Sequence, residues 1–298
     1  MEIRPDYYDD FKCIAGECQH NCCIGWEIDI DDDTLFKYNN ATGCLKAKLQ
    51  QSITVDPYAH FALTEDERCP FLNDDNLCEL ILYGGEDMLC QICREHPRFY
   101  NEVYGTTEKG IGLCCEVAAN IILTKIDPTT LVADEEKTLQ NDFYERRNEI
   151  FAILQDRERP LNDRINSILD WAGISLKVDD VDWIGVYKNL ERLDTAWDEY
   201  LDGIIKINTD IKSELEIPCE QLIWYFIYRH LSGAIDDFMF CEHIQFAILS
   251  CYVINSVNKT GTINEMQQVA RMYSSEIEYS DENVEILLEK LQEMNASK

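Results

Sequence analysis

The chain has 298 residues, with 57 Asp or Glu against 26 Lys or Arg and a formal net charge of −31. Nucleic acid needs a basic footprint to displace counterions from phosphate, and an anionic membrane repels so acidic a chain, so neither is expected as a partner. At 46% hydrophobic and 28% charged residues, the chain can bury a full core and is not globally disordered.

The opening residues Met1–Asp6 lack the basic start and apolar stretch of a secretory signal. No window approaches the roughly 20 apolar residues needed to span a bilayer. The expected location is therefore the cytoplasm, where thiols stay reduced and cysteines are read as metal ligands before disulfides. Of the 14 cysteines, 11 lie between Cys13 and Cys115. That asymmetry divides the chain into a cysteine-rich region, residues 1–116, and a helical domain, residues 117–298.

In chain order, the first cysteines run Cys13-x4-Cys18-x3-Cys22-Cys23, followed by an alternating segment, Gly25–Ile30, that predicts a short strand. Asp29, Asp31, Asp32 and Asp33 suggest a calcium loop, but the places that need Gly and Glu hold Thr34 and Asn40. An acid-rich helix N-terminus accounts for them instead. After Cys69-Pro70, Cys78 and Cys90-x2-Cys93, residues 98–104 and 111–113 predict a hairpin around a 105–110 loop, leading into Cys114-Cys115.

From Glu116 the apolar period turns helical. Leu161, Ile165, Ile168, Leu169 and Ala172 form a helix between Pro160 and a C-terminal stop at Gly173. Ile184, Tyr187, Leu190, Trp197, Leu201 and Ile204 trace a further apolar stripe, and residues 244–257 read as a buried core helix. Thr262 with Glu265 forms a capping box, and Ser280 caps a last helix. Cys241 and Cys251 read as small buried hydrophobes, and His230 and His243 as core histidines. The expected fold is mainly α: a Cys-rich metal-binding N-terminal region with short β elements, near Trp26 and residues 99–113, packed on a C-terminal helical domain.

The candidate metal ligands are Cys13, Cys18, Cys22, Cys23, Cys69, Cys78, Cys90, Cys93, Cys114 and Cys115. Clustered thiolates repel one another until a cation neutralises them. Ten are too many for one four-ligand site, so some support the ligands or there are two sites. Zinc ribbons show two short-spaced pairs, and only Cys90/Cys93 fits that spacing. The chemistry favours an iron–sulfur cluster, with zinc as the alternative. Thiol-redox work at Cys90-Gln91-Ile92-Cys93 is the weaker reading, because the expected βαβ context is absent.

Several segments together resemble the flagellin lysine-N-methylase family. They are Phe11–Cys18, Cys22-Cys23 with Gly25–Ile28, Cys69–Asn73, and Cys90-x2-Cys93-Arg94-Glu95-x-Pro97-Arg98-Phe99. Further along, Trp224–His230 and Tyr273-x2-Glu276-Ile277-Glu278 with Asn283 continue the match. The first part also resembles small zinc- or iron-chelating cysteine-motif proteins. His96 departs from the pattern, which has an aromatic residue there.

The resemblance implies a bacterial enzyme that transfers methyl from S-adenosylmethionine to lysines of flagellin, with a [4Fe–4S] cluster involved. The chain has neither a strand–GxGxxG–helix loop for that cofactor nor the C-x3-C-x2-C spacing of radical enzymes that use it. A lysine methylase must deprotonate an ammonium of pKa about 10.4 and align its lone pair with the methyl group. Tyr225, Tyr228, Tyr273, Glu276 and Glu278 are the candidate catalytic residues. The alternative is a non-enzymatic iron–sulfur or zinc protein, chaperone-like, in which the metal staples a loop-rich region.

Overall fold

A computed structural model describes residues 1–134, 141–234 and 236–296. Seven short strands are β1 (Glu2–Pro5), β2 (Ile28–Asp29), β3 (Ile53–Val55), β4 (Ala59–Phe61), β5 (Arg98–Val103), β6 (Thr106–Ile111) and β7 (Leu131–Ala133). Between β2 and β3 lie α1 (Asp32–Asn39) and α2 (Leu45–Ser52), and between β4 and β5 lie α3 (Glu79–Gly84) and α4 (Gln91–Glu95). The later helices are α5 (Glu116–Thr124), α6 (Asp142–Leu154), α7 (Leu161–Trp171), α8 (Trp183–Lys188), α9 (Ala196–Leu201), α10 (Glu216–His230), α11 (Asp237–Val257), α12 (Ile263–Tyr273) and α13 (Asp281–Ala296). Helix dominates, as the apolar periods predict. No described helix is long and apolar enough to cross a membrane.

The chain forms two compact units. The cysteine unit comprises Lys12–Phe99 with Cys115–Val117. The helical unit comprises Met1–Phe11, Tyr100–Cys114 and the chain from Ala118 onward.

Within the cysteine unit, β2, β4 and β3 make a small antiparallel sheet in that order. Ile28, Ile30, Tyr38, Leu49, Phe61, Phe71 and Leu80 form its apolar core. Cys69 and Cys90 are buried in that core, and Cys23, Cys78 and Cys93 pack against it. Asp31 caps α1, accepting from Thr34 N at 2.9 Å, and its other oxygen accepts from Gln91 N at 2.8 Å. One carboxylate thus satisfies orphan donors at the starts of both α1 and α4, which disposes of the calcium-loop pattern.

In the helical unit, the sheet order is β5-β6-β1-β7, with β1 parallel to β6 and antiparallel to β7. The two central helices, α10 and α11, are buried almost all round. In α10 the run Pro218–Tyr228 is buried, and Trp224 stacks on Phe151 at 4.7 Å and on Tyr228 at 5.1 Å. The Pro160 start and Gly173 stop of α7 stand: Gly173 has φ +67°, and Ile174 N donates to Leu169 O at 3.0 Å, closing a Schellman turn. Thr262 accepts from Glu265 N, and Ser280 from Asn283 N, as expected of helix caps.

Three sequence expectations change. The residues 105–110 are not a loop: Tyr104 (φ +47°) and Gly105 (φ +78°) make a two-residue turn, and β6 begins at Thr106. A turn with two positive φ values is usually signalled by Asn-Gly or Asp-Gly, and Tyr-Gly hides it. Strands also occur outside the two expected places, at β1, β3, β4 and β7. These are too short for periodicity to reveal. Finally, the stripe from Ile184 to Ile204 is split into α8 and α9, because the carboxylate of Glu276 takes up the backbone N–H groups of Leu193 and Asp194 between them.

Candidate functional site

Nine of the ten candidate thiols lie in the cysteine unit, and six of them sit in, against or next to its core. Cys90 opens α4 and Cys93 lies one turn on, so helical geometry brings their sulfurs to 3.3 Å. A shared hydrogen bond lowers the Cys90 pKa, and the same bond, with burial, raises that of Cys93. Cys22 and Cys23 behave alike: the hydrogen bond between them lowers Cys22 and raises Cys23.

Burial pushes the Cys69 thiol up to about 11, and the charges of Cys78 and Cys90 add to that. Burial likewise raises Cys78, with Cys90 contributing. Cys23 feels Cys69 and Cys78, and Cys93 feels Cys23 and Cys69. Each thiolate therefore makes the next harder to form. Among the described residues, no three His, Cys, Asp or Glu side chains are grouped so as to hold a single metal ion. Thiols are donors of the kind a soft metal takes, and a multivalent cation would remove the mutual repulsion that raises these ones.

The other four candidate ligands are placed differently. Cys13 is exposed, its sulfur accepting from Ala15 N at 3.4 Å. Cys18 is pushed up to about 12, first by burial and then by the Glu116 carboxylate, with a smaller effect from Cys115. Glu116 accepts from the backbone of Gln19 and His20 at 3.0–3.2 Å, which fixes the Cys18 loop. Cys114 belongs to the helical unit, where its sulfur donates to Tyr279 OH at 3.0 Å.

The helical unit holds a second polar centre, built on a π-turn. After α12 the backbone loosens to a π-helical turn over Ser274–Glu278, which turns both Glu276 and Glu278 inward. Such turns recur at functional sites. Glu278 is fully buried. Its Oε2 accepts from Tyr225 OH at 3.1 Å, and its Oε1 meets Arg229 Nε at 3.3 Å and His230 Nε2 at 2.6 Å. Tyr225 OH also accepts from Leu113 N and from Arg229. The Arg229 guanidinium lies over the Tyr279 ring at 5.3 Å. Burial alone would raise the Glu278 carboxyl, but Arg229 and His230 outweigh it and hold it below the usual range.

Of the five candidate catalytic residues, Tyr225 and Glu278 are hydrogen-bonded to each other. Tyr228, one turn from Tyr225, donates to the carbonyls of Ile3 and Lys109 at 3.1 and 3.0 Å, tying β1 to β6. Tyr273 joins a separate hydroxyl cluster with Tyr187 at 3.0 Å and Ser250 at 2.8 Å. Glu276 holds the 191–195 loop rather than facing Glu278, and burial raises its carboxyl against the pull of the Leu193 and Asp194 N–H groups. Sequence reasoning had not singled out Arg229 and His230 as members of this centre. Their signal was the i, i+4 and i, i+5 spacing from Tyr225 at a helix end, which acquires meaning only once Glu278 is placed beside them.

No protein-family profile matches the chain, and no solved structure matches it. Curated relatives do. A lysine-N-methylase of Salmonella typhimurium is 24% identical over 154 residues, which is 47% of this chain and 36% of that protein. One of Salmonella choleraesuis matches to the same extent. The flagellar biosynthetic protein FliU of Salmonella muenchen is 25% identical over 151 residues, 48% of this chain and 88% of that protein. The matched stretch thus spans about a third of the two lysine-N-methylases. Over about half of its own length, the chain is a relative of proteins named lysine-N-methylase and of FliU, the family its cysteine and helix motifs resemble.

Proposed function

We propose that the chain is a cytoplasmic, S-adenosylmethionine-dependent protein-lysine N-methyltransferase, acting on flagellin or another lysine-bearing protein. The observation that carries this reading is the similarity to two lysine-N-methylases and FliU over nearly half the chain. The Glu278 centre supports it, because a buried ionised carboxylate beside tyrosine rings suits an approaching ammonium. The net charge of −31 would draw a basic substrate.

In this reading a [4Fe–4S] cluster, or zinc in its place, is held by thiols drawn from Cys22, Cys23, Cys69, Cys78, Cys90 and Cys93. A bound metal supplies positive charge that lets these thiols ionise together and so orders the cysteine unit. Methyl transfer itself requires the amine lone pair about 3–3.5 Å from the methyl carbon, so the protein's own contribution is to strip the proton and hold the amine. A second reading, a non-enzymatic metal-binding protein, is favoured by one observation: both oxygens of Glu278 are already engaged by protein groups.

The test is protein purified without oxygen, assayed for iron, sulfide and zinc, then incubated with flagellin and S-adenosylmethionine. Mass spectrometry should find methyl groups on flagellin lysines. Metal-loaded protein that adds none favours the second reading. Stoichiometric zinc without sulfide would replace the cluster by zinc. Cys90→Ser and Cys93→Ser should each lose the metal and, with it, methylation.

A further inference from the structure

The Glu278 centre contains a basic nitrogen that the reading above leaves unused. His230 ends α10, and its Nε2 lies 2.6 Å from Glu278 Oε1. Because Glu278 is ionised it can only accept, so Nε2 carries the hydrogen and donates. In the neutral ring that leaves the lone pair on Nδ1. Nδ1 makes no hydrogen bond to any described residue, and the side chain keeps 14% of its surface accessible. Glu278 itself has none. The ring is also fixed by Phe246, edge to face at 5.1 Å, and by Phe226, stacked at 6.2 Å. A base held by a carboxylate through its far nitrogen, with the near nitrogen free of a hydrogen bond among the described residues, is the arrangement by which a positioned imidazole takes up protons.

We propose that His230 is the general base of the methyl transfer, its Nδ1 taking the proton from the substrate lysine ammonium while Glu278 positions the ring. This deepens the methylase reading and rests on it. The lysine N–H bond breaks, the proton passes to Nδ1, and the electron pair stays on the lysine nitrogen. That pair then forms the bond to the methyl carbon of the sulfonium donor. The carbon–sulfur bonding pair goes to sulfur, which leaves as a neutral thioether. Glu278 balances the resulting imidazolium, and the proton then passes to solvent.

Burial lowers the His230 pKa, so the ring is neutral and able to accept at pH 7. The charged and titratable groups that face it are Glu278 from the π-turn, which raises it, and Arg229 on its own helix, which lowers it. His243 of α11 repels a charged His230 in turn. A free lysine ammonium, at about 10.4, would give up its proton to such a ring only uphill. Desolvation of the ammonium in the site lowers its pKa and narrows that gap.

His230→Gln is the discriminating variant, because its amide can still donate to Glu278 in place of Nε2 while offering no base. At pH 7 it should methylate flagellin about 10²–10⁴-fold more slowly than wild type, with metal content, fold and KM for S-adenosylmethionine retained. Its rate should recover as pH rises toward about 10, where lysine deprotonates unaided. A merely structural role would not shift that profile. Equal rates at pH 7 for an active wild type and His230→Gln would overturn this proposal alone. An inactive, metal-loaded wild type would remove the methylase reading and this proposal with it. Independently of turnover, 15N NMR of the imidazoles in the full chain should find His230 neutral and protonated on Nε2 at pH 7. A ring protonated on Nδ1 would overturn the assignment.

Discussion

His96 occupies a position where the resembled family has an aromatic ring, and its surroundings make it act as one. Burial pushes its pKa down to about 4, so the ring stays neutral through the physiological range. The unfolded chain protonates near 6.5, so between about pH 6.5 and 4 it binds more protons than the folded chain. Stability should therefore fall as pH drops through that window and level off below it. His96→Phe should flatten that part of a urea-midpoint profile, and an unchanged slope would refute the assignment.

A second residue-scale test concerns Arg147 and Glu108, whose side chains are both wholly buried and doubly hydrogen-bonded. Arg147→Met leaves a buried carboxylate without its cation and should cost about 3–5 kcal/mol in urea unfolding. The Arg147→Met, Glu108→Leu double variant should recover most of that loss. Neither partner was legible in the sequence, where Glu108 read as part of a polar loop.

At the scale of elements, helix ends followed local rules and strand edges did not. Gly173 was readable as a stop because only glycine adopts φ +67° without strain, and a Cβ there would meet nothing within 4 Å. Gly173→Ala should thus cost about 1 kcal/mol through the backbone alone, measured as a lower urea midpoint with unchanged slope. The pairing of β1 with β6 had no local signal, since the partners lie about a hundred residues apart. Tyr228 holds that pair from α10 through two carbonyls. Tyr228→Phe should cost about 1–2 kcal/mol by removing the hydroxyl that the two carbonyls share, and amide exchange should rise first in β1 and β6.

At the scale of the whole molecule, two features dominate: an excess of 31 negative charges and a cysteine unit with a small core. Self-repulsion at that charge should be relieved by salt, so the melting temperature should rise between low and physiological ionic strength, while binding of a basic substrate weakens. If metal neutralises the thiol group, its removal should speed amide exchange in Lys12–Phe99 far more than in α10 and α11. Uniform loosening of both units would place the metal outside the cysteine unit.

The sequence by itself determined the helical class, both ends of α7, the starts of α12 and α13, the crowding of cysteines before Glu116, and the family resemblance that the curated relatives carry. Those features are local: periodicity, caps and spacing act within a few turns of chain. Only the tertiary structure decided that Cys23, Cys69, Cys78, Cys90 and Cys93 lie in or against one apolar core while Cys114 lies with Tyr279. It alone joined Tyr225, Arg229 and His230 of one helix to Glu278 of another and parted them from Tyr228, Tyr273 and Glu276. The reason is physical: a helix sends neighbouring side chains to different faces, and a π-turn resets that phase. What each polar group meets is then set by packing between distant segments, for which no local pattern codes.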